Sequence, residues 1–564
     1  MPQILRPLAA ALAAAWALGA AACNRAEPAP AATSSHAAGH DVAAARAPAA
    51  APPLYDNLGT LHHAVTASAE AQSYFDQGLR LVYAFNHDEA IASFKEGARR
   101  DPGCAMCWWG VALALGPNIN LPMDTSAVAP AMDAVRRAQS LADRVSPAER
   151  EYIEAVARRY SDAKDPDRAP LDSAYANAMR DVARAHPDDP DAQALYAESL
   201  MDLQPWSYYT AGGKPKGRIG EITSTLEATI AKHPDHPGAC HYYIHAVEAS
   251  LQPERALRCA ERLAELMPGA GHLVHMPAHI YMRLGRYADA ARHNEHALAA
   301  DHALIERRHP AGLYPVMYPT HNQHFLWAAY TMMGRSADAI AAAEKVGSAL
   351  PVEVYKQFPF VQFLAPTPYF ALARFGKWDE LLRAPAPDPS PELRYVTGMW
   401  RYTRGLALAA TGKLPAAKAE LDSVRAVAAA TPADFGIGLN SAKALLHIAE
   451  RHLAAEVALG GGRRADAVKL LREGVRMEDD LTYDEPPAWY YPLREVLGGV
   501  LLDGGDPKAA EAVYREDLLR HRENGWALGG LARSLEAQGR TKEAGEVKER
   551  LRKAWGSADV ALAN

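Results

Sequence analysis

A pattern of small residues at fixed places, interleaved with bulky apolar residues and closed by a proline, recurs along the chain at a spacing of 34 residues. The stretch "AQSYFDQGLRLVYAFNHDEAIASFKEGARRDP", residues 71–102, shows it most fully. Related copies begin near residues 237, 271 and 320. Toward the C-terminus, "LGGVLLDGGDPKAAEAVY" and "LARSLEAQGRTKEAGEV" again lie 34 residues apart. A repeat of this length predicts stacked helix pairs, because one pair alone cannot bury its apolar face.

The spacing and the small residues at the predicted helix crossings resemble those of tetratricopeptide repeat (TPR) proteins, and the resemblance covers most of residues 71–555. It implies an all-α fold, a TPR-type helix-turn-helix solenoid built as a superhelical array of antiparallel helix pairs. An apolar fraction of 49%, with few β-branched runs, agrees with helices. Two insertions, "GPNINLPMD" and "HPAGLYPVMYPT", are expected to form loops between repeats.

The N-terminus has the pattern of an export signal. "MPQILRPLAAALAAAWALGAAAC" carries one arginine, an apolar stretch too short for a comfortable membrane span, and small residues before Cys23. This arrangement resembles a bacterial lipoprotein signal, so we expect lipidation at Cys23, with ordinary secretion as the alternative. The expected location is the periplasm, with contact to a membrane only through the lipid anchor.

The chain divides by composition into five segments. The second of them is rich in Ala, Pro and Ser and has too few large apolar residues to order itself. The segments are a signal peptide (1–23), a disordered linker (24–53), N-terminal TPR-like helices (54–165), a central His-rich TPR segment (166–350) and a C-terminal TPR segment (351–564).

Charge and motifs exclude several classes of function. The formal net charge is -7 and no long Lys/Arg block is present, so nucleic acid is not an expected partner. The sequence contains no phosphate-binding loop, dinucleotide fingerprint or serine elbow, and no nucleotide cofactor is expected.

Histidine is concentrated in one part of the chain, since residues 233–324 hold 13 of its 22 histidines. In a TPR register the first helix of each pair lines the concave groove, and residues three or four apart share one helix face. Three consecutive first helices then direct a set of candidate ligands into the same groove. These are His241, His245, Glu248, His272, His275, His279, His321 and His324.

Such a set favours a transition metal. Imidazole donors with one carboxylate suit Cu, Zn or Fe better than Ca or Mg, and eight candidate ligands are enough for one or two ions. Cys240 is able to add a thiolate, although its place in the repeat directs it into the helical core. Two other interpretations remain open: a groove of neutral imidazoles that binds an acidic peptide or ligand, and histidines with no special role.

Several further residues are candidates for the groove wall or for cross-links. "DEPPAWYYPLRE" concentrates aromatics and prolines before a helix, and "CWWG" and "YAESLMD" add aromatic and acidic side chains. In an exported protein, Cys104 with Cys107 suggests a local disulfide, and Cys240 and Cys259 lie on two helices of one repeat. The candidate groove residues are Trp109, Glu198, Trp489 and Arg494.

The motifs "HYYIHAVEAS", "GHLVHMPAHIYMRLGRY", "HNQHFLWAA" and "DEPPAWYYPLRE" are together similar to those of a bacterial group of exported TPR proteins. The resemblance implies that the histidines act as a unit, and it implies no particular activity. Two functions follow for testing: metal binding or metal-dependent chemistry in the groove, and an anchored adaptor that binds a protein or peptide partner without metal. Whether the chain is an enzyme stays open.

Overall fold

The computed structural model describes residues 51–163, 165–309 and 314–562. Within those ranges the chain is a succession of helices with one two-stranded ribbon, which confirms the all-α, solenoid fold class. The predicted export signal, Cys23 and most of the predicted linker lie outside the described residues. None of the described helices combines the length and the apolar character that crossing a lipid bilayer requires.

The N-terminal helices pack in sequence order, each against the next. Side-chain caps define several of their starts: Ser68 accepts from the Ala71 amide, and Ser146 forms a capping box with Glu149. The helices are α1 (Ala69–Tyr83), α2 (His87–Arg100), α3 (Ala105–Ala114), α4 (Val128–Ser140), α5 (Pro147–Ala157), α6 (Arg168–Ala185) and α7 (Pro190–Met201).

The central helices continue the same order of packing and carry the histidines. They are α8 (Ile219–Lys232), α9 (Pro237–Val247), α10 (Leu257–Leu266), α11 (Gly271–His275), α12 (Pro277–Leu284), α13 (Tyr287–Arg308), α14 (Tyr314–Met332) and α15 (Ser336–Gly347).

The C-terminal helices complete the array, interrupted by the short antiparallel ribbon of β1 (Gly436–Ile437) and β2 (Asn440–Ser441). The helices are α16 (Val352–Gln357), α17 (Thr367–Arg374), α18 (Trp378–Arg383), α19 (Arg394–Ala410), α20 (Leu414–Ala430), α21 (Ala442–Gly460), α22 (Arg464–Asp479), α23 (Leu493–Asp503), α24 (Pro507–Arg520), α25 (Gly525–Ala537) and α26 (Thr541–Ala554). Short 3₁₀ turns cover Thr125–Ala127, Ala142–Arg144, Pro253–Ala256, Pro359–Phe363 and Pro391–Leu393.

The small residues of the repeat allow bulky side chains of neighbouring helices to enter. A Cβ placed on Gly78 of α1 would lie 2.6 Å from the Phe94 ring, and one on Gly110 of α3 would lie 2.5 Å from the same ring. Likewise, a Cβ placed on Gly530 of α25 would lie 2.1 Å from the Tyr514 ring of α24. A methyl group at any of these positions would overlap the aromatic ring, so the helix crossing depends on glycine.

Much of the second predicted insertion is helical rather than a loop. Helix α13 runs to Arg308 and ends at His309, whose φ of 47° is left-handed. Helix α14 begins at Tyr314 and contains Pro319 in its interior. The first insertion does form a turn, closed by a bridge between Asn118 and Leu121. The sequence "YPVMYPT" therefore extends a helix toward the histidines instead of looping away from them.

The C-terminal end of the array folds back onto the centre. The Trp526 indole N–H donates to the Thr331 carbonyl at 3.0 Å. The Asp559 carboxylate accepts from the backbone N–H groups of Ser336, at 2.6 Å, and Ala337, at 2.9 Å. Asp559 therefore serves as the N-terminal cap of α15 from more than two hundred residues away in sequence.

Both cysteine pairs that the sequence indicated are disulfide-bonded. Cys104 and Cys107 are bonded across the start of α3, and Cys240 of α9 is bonded to Cys259 of α10. The Cys240 sulfur is therefore committed to a cross-link inside the core, where its side chain is 1% exposed. This leaves the neighbouring histidines without a thiolate from that position.

Removing the longer disulfide with Cys240→Ala and Cys259→Ala is expected to lower the free energy of unfolding by about 3 kcal/mol, because the bond closes a 19-residue separation in the unfolded chain. Metal content should not change. Urea unfolding and elemental analysis measure the two effects. The matched double variant Cys104→Ala, Cys107→Ala removes a disulfide between residues only three apart in sequence. It should therefore lower the free energy of unfolding much less. Loss of metal from the first variant would contradict the assignment of that sulfur to the core.

Candidate metal centre

Six of the predicted histidines form two adjoining triads in the interior of the array. In each triad, one ligand-type nitrogen per residue lies within 4.8 Å of the others. Triad 1 consists of His241, His245 and His272, and triad 2 consists of His275, His279 and His321.

A break in one helix divides a single histidine strip between the two triads. His272 and His275 lie on α11, and His279 follows on α12 after the helix is interrupted at Met276 and Pro277. Pro277 lacks a backbone N–H and therefore cannot continue the helical hydrogen bonding of α11. The i, i+3, i+7 spacing that the sequence shows thus supplies one histidine to triad 1 and two to triad 2.

Triad 1 is oriented by acceptors outside it. The Nδ1 atom of His241 lies 2.7 Å from the Tyr83 carbonyl oxygen, and Nδ1 of His245 lies 2.8 Å from Glu248 Oε1. Because a carbonyl and a carboxylate only accept, both Nδ1 atoms carry the hydrogen. The Nε2 atoms of His241 and His245 are then lone-pair donors. His241 Nε2 faces His272 Nε2 at 3.1 Å, and His245 Nε2 has no hydrogen-bond partner among the residues that the structure describes.

Triad 2 is oriented in the same way. Nδ1 of His275 lies 2.7 Å from Asn294 Oδ1, and the Asn294 amide is held in that orientation because its Nδ2 donates to the Ala290 carbonyl. Nδ1 of His279 lies 2.5 Å from Glu248 Oε2. Both rings therefore carry their hydrogen on Nδ1, and their two Nε2 atoms face each other at 2.9 Å.

The contact between His275 Nε2 and His279 Nε2 brings two lone pairs together at hydrogen-bonding distance with no hydrogen between them. Such an arrangement is repulsive unless a cation, a proton or a metal ion, lies between the two nitrogens. The nitrogen of His321 stands in the same group and makes three donors for one position. Three nitrogens within 4.8 Å of one another are close enough to bind one metal ion.

Burial keeps these imidazoles in the form that binds metal. His241, His245, His272, His275 and His279 are each between 0% and 2% exposed. Burial lowers the pKa of His241, His272 and His275 well below the ordinary value, and the neighbouring imidazoles lower it further. The three side chains are therefore neutral at pH 7, with lone pairs free for a metal.

Glu248 lies between the triads and contacts one histidine of each. Its two carboxylate oxygens accept from His245 and His279, its backbone carbonyl accepts from Arg283 at 2.6 Å, and the Tyr483 hydroxyl lies 3.2 Å from Oε2. Although burial alone would raise the pKa of Glu248, interaction with His279 and His245 holds it below the ordinary value. Glu248 was predicted as a metal ligand; in the structure its two carboxylate oxygens contact and orient His245 and His279.

Aromatic rings enclose both triads. The Phe85 ring lies 4.6 Å from His241, the Trp206 ring 5.2 Å from His245, and the Phe325 ring 4.6 Å from both His275 and His279. Phe85 and Trp206 have positive φ angles of 53° and 60°, a backbone region that large side chains rarely adopt. Two residues with strained backbones therefore place aromatic rings against triad 1. Backbone strain of this kind is common at functional sites.

The remaining predicted site residues lie outside the triads. His324 stacks on Trp327, and burial lowers its pKa to about 3. Trp109 packs in the core against Tyr152. The others are Glu198, buried beside Arg159; Trp489, packed against Tyr402 and Tyr490; and Arg494, paired through two hydrogen bonds with Asp479.

Sequence reasoning missed the residues that orient the histidines of the two triads. Tyr83 acts through its backbone carbonyl, which no side-chain pattern reports. Asn294 lies on the second helix of its repeat, away from the face that the register assigned to the groove. Tyr483 was within reach of prediction, because it directly precedes the "DEPPAWYYPLRE" motif that the sequence singled out.

A further group of polar residues, centred on Asp191, contacts Tyr83 next to triad 1. Asp191 accepts from the Tyr83 hydroxyl at 2.6 Å and contacts His63 Nδ1 at 2.8 Å and His236 Nε2 at 3.0 Å. Possible metal-ligand atoms of His63, Asp189 and Asp191 also lie within 4.8 Å of one another. Since both Asp191 oxygens already have partners, this group is best described as a hydrogen-bonded anchor for Tyr83, whose carbonyl orients His241.

Comparison with known proteins assigns no family. No family model matches the chain, and no curated protein matches it. Solved structures similar to it include the human IFIT1 dimer with PPP-AAAA, at 12% identity and a TM-score of 0.30, covering 86% of this chain and 91% of that one. Another is Naa15/Naa10 bound to HypK-THB, at 13% identity and a TM-score of 0.22, covering 86% and 70%. Likeness at these scores gives this chain neither a ligand nor a partner.

Proposed function

We propose that this protein is a dinuclear transition-metal protein, with one ion in each histidine triad. The observation that carries the proposal is the pair of facing Nε2 lone pairs of His275 and His279, which need a cation between them. Triad 1 offers a second set of three nitrogens, which lie within 4.8 Å of one another. Each of the four rings with an anchored Nδ1 presents its Nε2 to a triad, which is the arrangement that metal-bound histidines adopt.

The adaptor hypothesis finds less support at this site. A peptide partner would have to reach the histidines, and five of the six are almost fully buried behind Phe85, Trp206 and Phe325. An adaptor surface elsewhere on the array would not use these residues. We therefore assign the buried histidines to metal rather than to peptide recognition.

We also propose that the protein works outside the cytosol, in the periplasm, anchored through Cys23. The two disulfides support this location, because such bonds persist in oxidising compartments and are rare in the cytosol. Membrane-fraction analysis of the chain and of a Cys23→Ala variant tests the anchor. A variant that stays with the membrane would contradict it.

Elemental analysis of the exported protein, purified without chelator and without a His tag, tests the metal centre. We expect about two equivalents of Cu, Zn or Fe per chain, in line with one ion per triad. In a His275→Ala, His279→Ala variant we expect about one equivalent, since triad 1 keeps its three donors. Circular dichroism establishes that the variant is folded.

A control separates ligand loss from loss of a buried histidine. His452 is also buried, on α21, where its Nδ1 contacts the Tyr402 hydroxyl at 2.8 Å. The His452→Gln variant should keep both equivalents of metal. Absence of metal from the parent protein, even after reconstitution with each of the three metals, would overturn the proposal.

A further inference from the structure

The donor atoms of the two triads are uncharged, and this restricts the metal. Six imidazole nitrogens are offered, the Glu248 oxygens are occupied by His245 and His279, and the Cys240 sulfur is bonded to Cys259. Each ion would therefore receive three neutral nitrogen donors. Imidazole suits Cu, Zn, Fe and Ni, so the choice among them must rest on charge and coordination number.

Charge balance favours monovalent ions. Two divalent ions would place four positive charges in an almost fully buried region, and burying uncompensated charge is costly. The carboxylates beside the triads include Glu248 and Glu485, the latter joined to Glu248 through the Tyr483 hydroxyl. They also include the buried Asp301, whose carboxylate packs against Gly271, the residue before His272. Arg283, whose cation lies 5.2 Å from the Tyr483 ring centroid, adds a positive charge. Copper is the one of the predicted metals that is stable as a monovalent ion, and two Cu(I) ions bring only two charges.

Coordination number points to the same metal. Zinc in a structural site takes four protein ligands, and catalytic zinc with three protein ligands completes its shell with water. Here Phe85, Trp206 and Phe325 place apolar rings against the triads, and an apolar surrounding favours an ion whose shell is complete without water. Cu(I) is satisfied by three nitrogen donors and needs no water.

The two triads are close enough to act on one small molecule. The ring centroids of His245 and His279 are 5.6 Å apart, and those of His272 and His275 are 5.9 Å apart, so rings of different triads are neighbours. Two-metal sites with adjacent ions hold one ligand between them. The apolar rings of Phe85, Trp206 and Phe325 beside the triads favour a small uncharged ligand over a charged one.

Resting on the dinuclear centre proposed above, we infer that the centre holds two Cu(I) ions and binds one molecule of dioxygen between them. Each copper gives one electron to dioxygen, which becomes a bridging peroxide while both coppers become Cu(II). The O–O bond order falls from two to one, copper–oxygen bonds form at both metals, and no proton is taken up. The total charge of the metals and the bound oxygen is +2 before and after, so the buried site meets no change in net charge.

Oxygen uptake by the copper-loaded protein tests the inference. The full exported chain is stripped of metal, loaded anaerobically with Cu(I), freed of unbound copper and then exposed to dioxygen in a closed cell. We expect one dioxygen consumed per two coppers, a new absorption band from peroxide-to-copper charge transfer, and little Cu(II) signal in electron paramagnetic resonance, because the two spins are paired.

A single substitution distinguishes paired from independent coppers. His321 is the least buried ligand, so His321→Ala disturbs the fold least. The variant should keep the copper of triad 1, and its oxygen uptake should fall at least 10-fold. A Cu(II) signal should appear in electron paramagnetic resonance when the protein is oxidised. His452→Gln should behave as the parent.

The outcomes separate the two proposals. If two Zn or Fe ions bind and Cu(I) does not, or if two Cu(I) ions bind without oxygen uptake, this inference fails and the dinuclear centre stands. If oxidation produces two independent Cu(II) signals, the bridging geometry fails. If none of the three metals binds, both proposals fail.

Discussion

Replacing Glu248 with glutamine is expected to weaken the binding of both metal ions at once, each by about 10–100-fold. The carboxylate accepts from the Nδ1–H groups of His245 in triad 1 and His279 in triad 2. A glutamine side chain has one acceptor oxygen, and its amide group would face the other Nδ1–H as a second donor. One histidine therefore loses its fixed orientation, and both lose the negative charge that strengthens them as ligands. Titration of the metal-free protein with Cu(I) and Zn against a competing chelator measures the change.

A matched control exists elsewhere in the array. Glu450 of α21 contacts His447 Nδ1 at 3.3 Å across the same i, i+3 spacing that joins His245 and Glu248. Glu450→Gln should leave both metal affinities unchanged. If Glu248→Gln weakened the binding of only one ion, the carboxylate would not connect the two triads in the way that its contacts indicate. If it weakened the binding of neither ion, the orientation of the histidine rings would have another cause.

Replacing Arg159 with methionine is expected to lower the free energy of unfolding by about 3–5 kcal/mol, the usual cost of removing one partner from a buried ion pair. The Arg159 guanidinium is 1% exposed, donates to Asp202 Oδ2 at 2.6 Å and to the Pro117 carbonyl at 2.7 Å, and lies 4.6 Å from the Tyr175 ring centroid. Burial raises the pKa of both Asp202 and Glu198, which lie together beside it. Without the arginine, a buried carboxylate has no compensating charge.

Urea unfolding measures this change, with two comparisons. Arg136 pairs with Asp162 at 2.8 Å on the surface, and Arg136→Met should cost less than about 1 kcal/mol, since exposed ion pairs contribute little. The double variant Arg159→Met, Asp202→Leu should recover part of the lost free energy of unfolding, because replacing both partners removes the unpaired charge. A single variant as stable as the parent would show that the arginine compensates no buried charge.

The fold was predictable because its signal repeats. Gly78 and Gly110 make room for the Phe94 ring, and Gly498 and Gly530 make room for the Tyr514 ring in the same way. Each copy of the repeat therefore supports the assignment of the others. The shared helix faces of the histidines were predictable for a related reason. A helix has a fixed period, and His241 with His245, or His275 with His279, share a face in any straight helix.

The grouping of the histidines was not predictable from one helix alone. Spacing places His272, His275 and His279 on one face and gives no sign that the break at Pro277 and the packing of α9 and α14 divide them between two triads. The role of Glu248 depends on a contact with His279 on another helix, and His241 depends on the carbonyl of Tyr83, 158 residues earlier. Such contacts arise from tertiary packing, which the local pattern does not contain.

The return of the C-terminal residues to the centre of the array changes how the protein should come apart. In an open repeat array each unit touches only its neighbours, so unfolding starts at an end and moves inward unit by unit. Here Asp559 caps α15 and Trp526 binds the Thr331 carbonyl, so the last helices cannot fray without uncapping a helix near the histidines. End and centre should therefore unfold together, in a single cooperative transition.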